Sequence, residues 1–263
     1  MLTMLTMNCF GVPALGTARR LEALGSSLNA LDADVITLQE VQAHAFRRLL
    51  VKTCTAYPYR EYMPFVHAPK GGLLTLSRHP LTEWRFVLYR ERGLWYTPAL
   101  ADWILHKGVL ITHIQVGELP VVVMNTHLTA NYTGDWSRSN RFARHEWEQL
   151  AQLADLVNEQ PSDHLVVVAG DFNVPRGSWL ADEFLERSHL TDPLSGNRRP
   201  TYRPMTGMPA RYAAAIDFNL YRAPQGMQIE TQARFRFEQK HRLADGRQMF
   251  LSDHDAVETR LVW

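Results

Sequence analysis

Two segments of the chain consist of apolar residues at consecutive positions, and they restrict the possible folds more than any other feature. Val121-Val-Val-Met124 and Val166-Val-Val-Ala169 would form strands that carry no polar residue on either face. Because successive side chains of a strand point to opposite faces, such strands are buried on both sides. Two sheets packed together, with helices outside, satisfy this requirement. We therefore expect a four-layer α/β sandwich, with two packed, mostly antiparallel β-sheets flanked by helices.

Other apolar runs and helical spacings predict the remaining elements of that sandwich. Thr17 is predicted to be the N-cap of a first helix, in which Leu21, Leu24 and Leu28 share one face. Further helices are predicted over residues 44–54, 139–158 and 180–187. The predicted strands cover residues 2–10, 35–39, 73–77, 82–89, 109–116, 120–126, 164–169, 217–221, 228–237 and 256–262.

Composition sets broad limits on the class of protein. The chain has 263 residues, a formal net charge of +1 and two cysteines, Cys9 and Cys54. The near-neutral charge gives no support for a polyanion binder, and two cysteines cannot form a disulfide framework. We find no linker, signal peptide or run of apolar residues long enough to span a bilayer. We expect one domain over residues 1–263 in a cytoplasmic monomer that contacts a membrane at most peripherally.

Polar residues collect at the ends of the predicted strands. Strand ends converge on one rim of a sandwich while the apolar run stays in the core, so these side chains are expected to meet. A convergent set of carboxylates, amides and imidazoles suits a hard metal ion together with acid–base catalysis. The members of the set are Asn8, Glu40, Asn125, His127, Asp171, Asn173, Asp217, Asp253 and His254.

Each short motif by itself has an ordinary structural explanation. Glu40 could be a solvated carboxylate in the first turn of a helix, and His127 could belong to a polar turn. Gly170-Asp-Phe-Asn173 also suits an Asx turn after a buried strand. Ser252-Asp-His254 could cap a local turn. The functional interpretation rests on all of these motifs occurring in one chain, in one order, each at a strand end.

The ordered set resembles the endonuclease/exonuclease/phosphatase superfamily over essentially the whole chain. The resemblance implies that Glu40 is the principal metal carboxylate, with Asn8 and Asp253 as direct or water-mediated ligands. It further implies that His254 is the general base and is oriented by Asp217. Asp171 and Asn173 would position water and phosphate, and His127 would contact the phosphate or the leaving group. Ligands that are all oxygens favour Mg²⁺ over Zn²⁺, and Mn²⁺ is expected to substitute.

The chain departs from the superfamily pattern at two places. Many members carry an arginine two residues before the late aspartate, where this chain has Ala215, so Arg211 or another residue would have to supply that charge. Many members also carry an acidic residue just before the strand that starts at residue 73. Here that place holds Gly71-Gly72, which leaves the partner of His127 open.

Within the superfamily, the chain is most similar to neutral sphingomyelinases. The similarity lies in Lys107-Gly-Val-Leu-Ile111, in Asn125-Thr-His-Leu-Thr-Ala-Asn-Tyr132 and in Leu251-Ser-Asp-His-Asp-Ala-Val257. It implies a Mg²⁺-dependent phosphodiesterase that releases phosphocholine from a choline lipid. The residues expected to bind or support the substrate are Asn125, Lys107, Tyr132, Trp136 and Arg211. Aromatic residues in 93–103 are further candidates for contact with lipid or choline.

Other functions remain compatible with the sequence. A nuclease is the main alternative, because Arg198, Arg199, Arg203 and Arg211 precede Asp217 and could contact phosphates of a nucleic acid. A phosphatase acting on a soluble ester is a further alternative. An inactive binding module is disfavoured by the retained carboxylates and imidazoles. Substrate assays in the presence and absence of a divalent cation distinguish these functions.

Overall fold

The computed structural model describes residues 1–91, 105–204 and 207–263, with the backbone but not the side chain of Arg211. Its strands are β1 (Leu2–Asn8), β2 (Val35–Gln39), β3 (Tyr59–Glu61), β4 (Leu74–Ser77), β5 (Leu81–Leu88), β6 (Gly108–Val116), β7 (Leu119–His127), β8 (Leu165–Asp171), β9 (Asp217–Arg222), β10 (Glu230–Arg236), β11 (His241–Arg242), β12 (Gln248–Met249) and β13 (Ala256–Val262). Its helices are α1 (Thr17–Asn29), α2 (His44–Thr53), α3 (Arg141–Asn158) and α4 (Trp179–Ser188).

The strands form two large sheets and one short hairpin. The first sheet has six strands in the order β10-β13-β1-β2-β4-β3, and the second has five in the order β5-β6-β7-β8-β9. Each large sheet contains one parallel pair, β1 with β2 and β7 with β8, and its other pairs are antiparallel. Within the described part of the chain, strands β11 and β12 pair only with each other. The predicted fold of two mostly antiparallel sheets is confirmed.

The consecutive apolar residues of β7 explain how the layers stack. Val121 and Val123 join Leu2 of β1 in a buried cluster between the two sheets. Val122 and Met124 point to the opposite face, where they pack with residues of α3 and α4. A further buried cluster joins the first sheet to α1 and α2. The order of layers is therefore helices, sheet, sheet, helices, and β7 is buried on both faces as its sequence predicts.

Details of the helix ends and the short strands differ from the prediction. Thr17 is not an N-cap, because Gly16 occupies that position in a left-handed conformation and the Thr17 hydroxyl donates to the Val12 carbonyl at 2.9 Å. Helix α3 begins after Asn140, whose side chain accepts hydrogen bonds from two backbone N–H groups. Strand β3 and the β11–β12 hairpin were not predicted, because they are only two or three residues long and largely polar. Within the described ranges, no helix has both the length and the apolarity to cross a bilayer.

Candidate active site

The polar residues at the strand ends come together at one edge of both sheets. Asn8 ends β1, and Glu40 directly follows its parallel neighbour β2. In the second sheet, His127, Asp171 and Asp217 lie opposite one another across β7, β8 and β9. The carboxyl ends of parallel strands are where α/β sheets place their ligands. The convergence predicted from the sequence is therefore present in the fold.

Two of these residues occupy strained backbone conformations. Glu40 has a φ of 57° and Asn173 a φ of 53°. Both values lie in the left-handed region, which residues other than glycine rarely adopt. The Glu40 carbonyl lies 2.2 Å from the point that a Cβ at Gly11 would occupy, so only glycine fits at position 11. Strain of this kind is typical of functional sites, where the surrounding structure holds it in place.

His254 and Asp217 form a buried hydrogen-bonded pair. His254 Nδ1 lies 2.8 Å from Asp217 Oδ2, while His254 Nε2 lies 3.7 Å from Asp171 Oδ2. Burial alone would lower the pKa of His254, but the nearby carboxylates, first Asp217 and then Asp171, raise that pKa to about 10. Ser252 fixes the loop, because its hydroxyl accepts from the His254 N–H and donates to the Asn8 carbonyl. This arrangement leaves Nε2 as the nitrogen available for chemistry.

Asn8 links the carboxylates of the two sheets. Its side-chain nitrogen donates at 2.9 Å both to Glu40 Oε1 and to Asp171 Oδ2, and its oxygen accepts from the Phe10 N–H. Burial raises the pKa of Asp171 to about 7, opposed by the charge of His254. The amide of Asn8 therefore holds Glu40 and Asp171 in fixed positions across the gap between the sheets.

His127 has the acidic partner that the sequence left open. Its Nε2 lies 3.4 Å from Asp171 Oδ2, so a residue of the neighbouring strand takes the place of the acidic residue absent at Gly71-Gly72. Burial, followed by the positive charges of Lys107 and His254, lowers the pKa of His127 well below its usual value. Lys107 is itself buried and donates to the Leu128 carbonyl at 2.6 Å. His127 is consequently a neutral imidazole at physiological pH.

Glu40 and Asp253 form the side of the site that fits a cation. Both are half-buried, whereas Asp171 and Asp217 are buried. Burial raises the pKa of Glu40, the Asn8 amide lowers it, and the negative charge of Asp253 raises it again. Two carboxylates that repel each other in a partly open position suit a hard divalent cation, which would relieve the repulsion.

A second group of possible metal ligands lies deeper in the site. Asp171, Asp217 and His254 each bring one ligand atom to within 4.8 Å of the others. In this group the His254 and Asp217 atoms are already joined by the 2.8 Å hydrogen bond. That geometry matches an imidazole oriented by a carboxylate, so the deeper group fits acid–base chemistry better than metal binding.

Three residues expected to contact the substrate or its phosphate lie on two loops, Tyr132 and Trp136 after β7 and Asn173 after β8. Asn173 donates from its side chain to the Leu128 carbonyl at 2.9 Å, and its carbonyl accepts from the indole N–H of Trp136 at 3.3 Å. Tyr132 is 39% exposed, and its ring lies edge-on to Phe142. Trp136 thus contacts the turn that carries Asn173, and substrate binding by Tyr132 and Trp136 stays a prediction.

Asn125 was expected either to bind the substrate or to support the site through hydrogen bonds. Asn125 is fully buried between the sheets. Its nitrogen donates to the carbonyls of Leu38 and Leu74, and its oxygen accepts from Gln39 at 2.8 Å. Every hydrogen bond of its amide therefore joins the second sheet to the first. These hydrogen bonds agree with a supporting role, and a contact between Asn125 and the substrate stays a prediction.

Two of the four arginines that the nuclease alternative assigned to nucleic-acid phosphates bind protein carboxylates. Arg199 pairs with Glu238 at 2.9 Å and with Asp255 at 2.7 Å, and Arg203 also pairs with Asp255. Arg203 further donates to the carbonyl of His254. These two guanidinium groups support the loop that carries His254.

Two other expectations concern side chains about which the structure is silent. The side chain of Arg211, expected to replace the missing arginine at Ala215, lies outside the described part of the chain. The aromatic residues predicted in 93–103 also fall outside the described residues.

Arg20 contributes to the site but was missed in the sequence. It is buried on α1 and donates to the Cys9 carbonyl at 2.7 Å, to the Leu251 carbonyl at 2.5 Å and to the Phe10 carbonyl. It thereby joins the loop after Asn8 to the loop before Asp253. One signal was available, since Arg20 lies four residues before Leu24 and therefore on the apolar face of its helix.

The model of the endonuclease/exonuclease/phosphatase family matches residues 5–254. The chain belongs to this family. Nuclease and phosphatase both denote hydrolysis of phosphoric esters, which is the chemistry that a carboxylate and imidazole site of this kind supports. The family match covers every residue of the site described above, from Asn8 to His254.

Among curated relatives of this family member, a putative neutral sphingomyelinase of Drosophila melanogaster is 31% identical over 65% of the chain and 39% of its own length. Sphingomyelin phosphodiesterase 2 of Rattus norvegicus is 27% identical over 87% of the chain and 57% of its own length. The chain thus spans about two fifths to three fifths of the length of these relatives.

Solved structures of the same fold include sphingomyelinase C from Streptomyces griseocarneus, with a TM-score of 0.77, 21% identity and 98% of each chain covered. They also include D. rerio TDP2 complexed with a single-stranded DNA product, with a TM-score of 0.73 and 18% identity. The latter match covers 100% of this chain and 99% of the other. At these identities the likeness establishes the fold alone. The same fold occurs in a sphingomyelinase and in a protein complexed with DNA.

Proposed function

We propose that the chain is a divalent-metal-dependent phosphodiesterase that releases phosphocholine from sphingomyelin or a related choline lipid. One observation carries the reaction type: His254 is held at 2.8 Å by Asp217, beside the half-buried carboxylates of Glu40 and Asp253. A base oriented by a carboxylate and an adjoining cation site are the two parts that hydrolysis of a phosphodiester requires.

The proposed base is His254 Nε2. Since Nδ1 is occupied by Asp217, the opposite nitrogen is free to take a proton from the attacking water. In the protein without a cation, the surrounding carboxylates raise the His254 pKa to about 10, which would keep the imidazole protonated. Positive charge held beside Asp253 would lower that pKa toward the range in which a base acts at neutral pH.

The proposed cation site consists of Glu40 and Asp253, with Asn8 fixing the Glu40 carboxylate. Mg²⁺ fits this set of oxygen donors best, and Mn²⁺ is expected to replace it. When bound, the cation would supply positive charge to the non-bridging oxygens of the phosphate and to the leaving oxygen. Asn8 and Asp171 would keep the carboxylates in place through the hydrogen bond that joins them.

The proposed phosphate contacts are Asn173 and His127. His127 is neutral, because burial and two neighbouring positive charges lower its pKa, so it can donate a hydrogen bond to phosphate or to the leaving oxygen. Asn173 is fixed by Asp171, whose carboxylate accepts from the Asn173 N–H at 2.9 Å. Lys107, although buried, places positive charge near His127 and Asp171.

The choice of a choline lipid as substrate is supported by the relatives and by the loop after β7. Two curated relatives are described as sphingomyelinases, and a third protein of the same fold is sphingomyelinase C. Tyr132 and Trp136 lie on the loop that follows His127, and aromatic side chains suit both a quaternary ammonium group and a lipid interface. We infer peripheral contact with a lipid surface at this loop.

A panel of substrates tests the proposed function. The purified protein is incubated with Mg²⁺ or with chelator and is offered sphingomyelin, lysophosphatidylcholine, supercoiled DNA, abasic DNA and inositol phosphates. Phosphocholine release from sphingomyelin that depends on Mg²⁺, without nicking of DNA, is the expected result. The His254→Ala variant serves as the control for contaminating activity.

Other outcomes of the same panel would contradict the proposal. DNA cleavage with inert lipids would establish the nuclease alternative, and release of inorganic phosphate from inositol phosphates would establish a phosphatase. Phosphocholine release that is unaffected by chelator would refute the role of the cation.

A further inference from the structure

Arg176 is a buried arginine that lies just beyond the Gly170–Asn173 turn and contacts the start of β9. Its Nη2 donates to the Asp217 carbonyl at 3.0 Å, and its backbone N–H donates to the Ala215 carbonyl at 2.9 Å. Its guanidinium lies over the ring of Phe218, 4.4 Å from the centroid. Arg176 therefore contacts Asp217 itself and two residues close to it in the chain, Ala215 and Phe218.

The guanidinium is held from the opposite side by a buried carboxylate. Arg176 Nε donates to Asp192 Oδ2 at 2.6 Å, and both side chains are no more than 3% exposed. Asp192 is itself anchored to β9, because its neighbour Thr191 exchanges two backbone hydrogen bonds with Tyr221. The ion pair is thus fastened to the strand whose first residue is Asp217.

Burying an ion pair costs solvation free energy, and apolar residues of similar volume often stabilise a fold as well or better. A role in geometry explains why charges are present here. The Asp217 N–H donates to Thr201 Oγ1 at 3.2 Å, while its carbonyl accepts from Arg176, so the backbone on both sides of its Cα is fixed. The Asp217 carboxylate then meets His254 at 2.8 Å.

We propose that Arg176, held by Asp192, is a positioning residue for the Asp217–His254 pair. The inference rests on the proposed function in assigning His254 as the base. Arg176 does not touch the substrate; it sets the direction of the Asp217 carboxylate through the backbone of that residue.

The test compares two arginines at opposite ends of β9. Arg222 also binds carbonyl groups, those of Val157 at 2.8 Å and Gln160 at 3.0 Å, but it lies at the end of the strand remote from Asp217. Arg176→Met is expected to lower kcat roughly 10- to 100-fold with KM within about twofold, as expected for a misplaced catalytic group. Arg222→Met is expected to change kcat by less than about twofold. Asp192→Asn should act like Arg176→Met.

A spectroscopic measurement without substrate separates this inference from the proposed function. The hydrogen bond between His254 and Asp217 is expected to give a low-field imidazole N–H resonance in proton NMR, which His254→Ala identifies by its loss. Arg176→Met should shift or broaden this resonance, and Arg222→Met should leave it unchanged. This result would support the positioning role even if the substrate panel returned another activity. An unaltered resonance in Arg176→Met would overturn the role.

A second test asks whether the effects of Arg176→Met and His254→Ala on turnover are additive. Because Arg176 acts through His254, Arg176→Met should have no further effect on residual turnover in the His254→Ala background. A full additional loss there would mean that Arg176 acts by another route and would refute the proposal. Should Arg176→Met fail to fold, Arg176→Lys, which keeps the charge but reaches only one of the two partners, carries the same comparison. Intermediate kcat and a shifted resonance are expected for Arg176→Lys, and wild-type values of both would refute the proposal.

Discussion

The two sheets contribute opposite kinds of residue to the same site. The end of the first sheet presents Glu40 and, through the loop before β13, Asp253, both half-buried carboxylates. The end of the second sheet presents Asp171 and Asp217, which are 1% and 0% exposed and are hydrogen-bonded within the protein. An open pair of repelling carboxylates fits a cation, and a closed pair tied to an imidazole fits proton transfer. In the proposed function, the first sheet supplies the carboxylates for the cation and the second sheet supplies the carboxylates that orient the base, while the base itself, His254, lies on the loop before β13.

Among the described residues, several side chains cross between the two sheets. Asn8 reaches from the first sheet to Asp171, and His254 reaches from the loop before β13 to Asp217. Asn125 crosses in the opposite direction, beneath the site, to carbonyls of β2 and of the residue that begins β4. Because the cation and the base are assigned to different side chains, each half can be tested by its own substitution.

Removal of the base should have the largest effect. His254→Ala is expected to lower kcat about 10²- to 10⁴-fold, the usual contribution of a general base. Metal binding, measured by titration calorimetry with Mn²⁺, should be retained, since the cation belongs to the other half of the site. Turnover close to the wild-type value would eliminate His254 as the base.

Substitution of Glu40, the proposed metal carboxylate, should affect the half of the site that is proposed to bind the cation. Glu40→Gln is expected to weaken Mn²⁺ binding by at least roughly tenfold and to reduce turnover at a fixed Mg²⁺ concentration, because ligand charge sets affinity for hard cations. Raising the Mg²⁺ concentration should recover part of the activity. The control is His254→Ala, which should retain affinity for the metal. Unchanged metal affinity in Glu40→Gln would place the cation elsewhere.

The sequence predicted this division only in part. The apolar runs at residues 121–124 and 166–169 required two packed sheets, and the polar residues after them predicted the shared edge. The order of the strands and the partner of His127 depended on register, which those patterns do not contain. Positions 71 and 72 hold glycines where the superfamily pattern has an acidic residue. Only the pairing of β7 with β8 shows that Asp171 lies beside His127.

Contacts between residues distant in the chain were the least predictable part of the site. Arg20 and the Leu251 carbonyl are 231 positions apart, and Arg176 and the Asp217 carbonyl are 41 apart. No local propensity or periodicity indicates that such residues meet. The β11–β12 hairpin is similarly hidden, because its two-residue strands are too short to show alternation.

In the metal-free protein, the pH dependence of the free energy of unfolding should report on the half of the site formed by Asp171, Asp217 and His254. The folded-state pKa of His254, raised by Asp217 and Asp171 to about 10, exceeds its ordinary value of 6.5. Its contribution to stability is therefore fully present below about pH 6.5 and is lost as pH rises through about 10. Asp171, with a raised pKa of about 7, contributes in the same direction but over a lower range.

Thermal unfolding in the presence of chelator measures this effect. The Tm of the wild-type protein should fall by several degrees between pH 7.5 and 10, and the fall should be smaller in His254→Asn. Equal slopes in the two proteins would show that the charge of His254 is not stabilised by the carboxylates of the second sheet.

The aromatic loop after β7 should give the smallest effect. Tyr132→Ala is expected to reduce hydrolysis of sphingomyelin in vesicles roughly two- to fivefold, through loss of about 0.5–1 kcal/mol of interfacial burial. Hydrolysis in detergent micelles should change less. Tyr59→Ala is the matched control, because Tyr59 is 40% exposed against 39% for Tyr132 but lies on the edge strand β3. An equal loss in both variants would remove the loop from the lipid-binding surface.

The separation of tasks between the two sheets is tested most directly by locating the cation. A crystal grown or soaked with Mn²⁺ and measured at its absorption edge gives an anomalous peak at each bound ion. We expect the strongest anomalous peak between Glu40 and Asp253, with His254 still hydrogen-bonded to Asp217. A strongest peak among Asp171, Asp217 and His254, whose ligand atoms lie within 4.8 Å of one another, would contradict it.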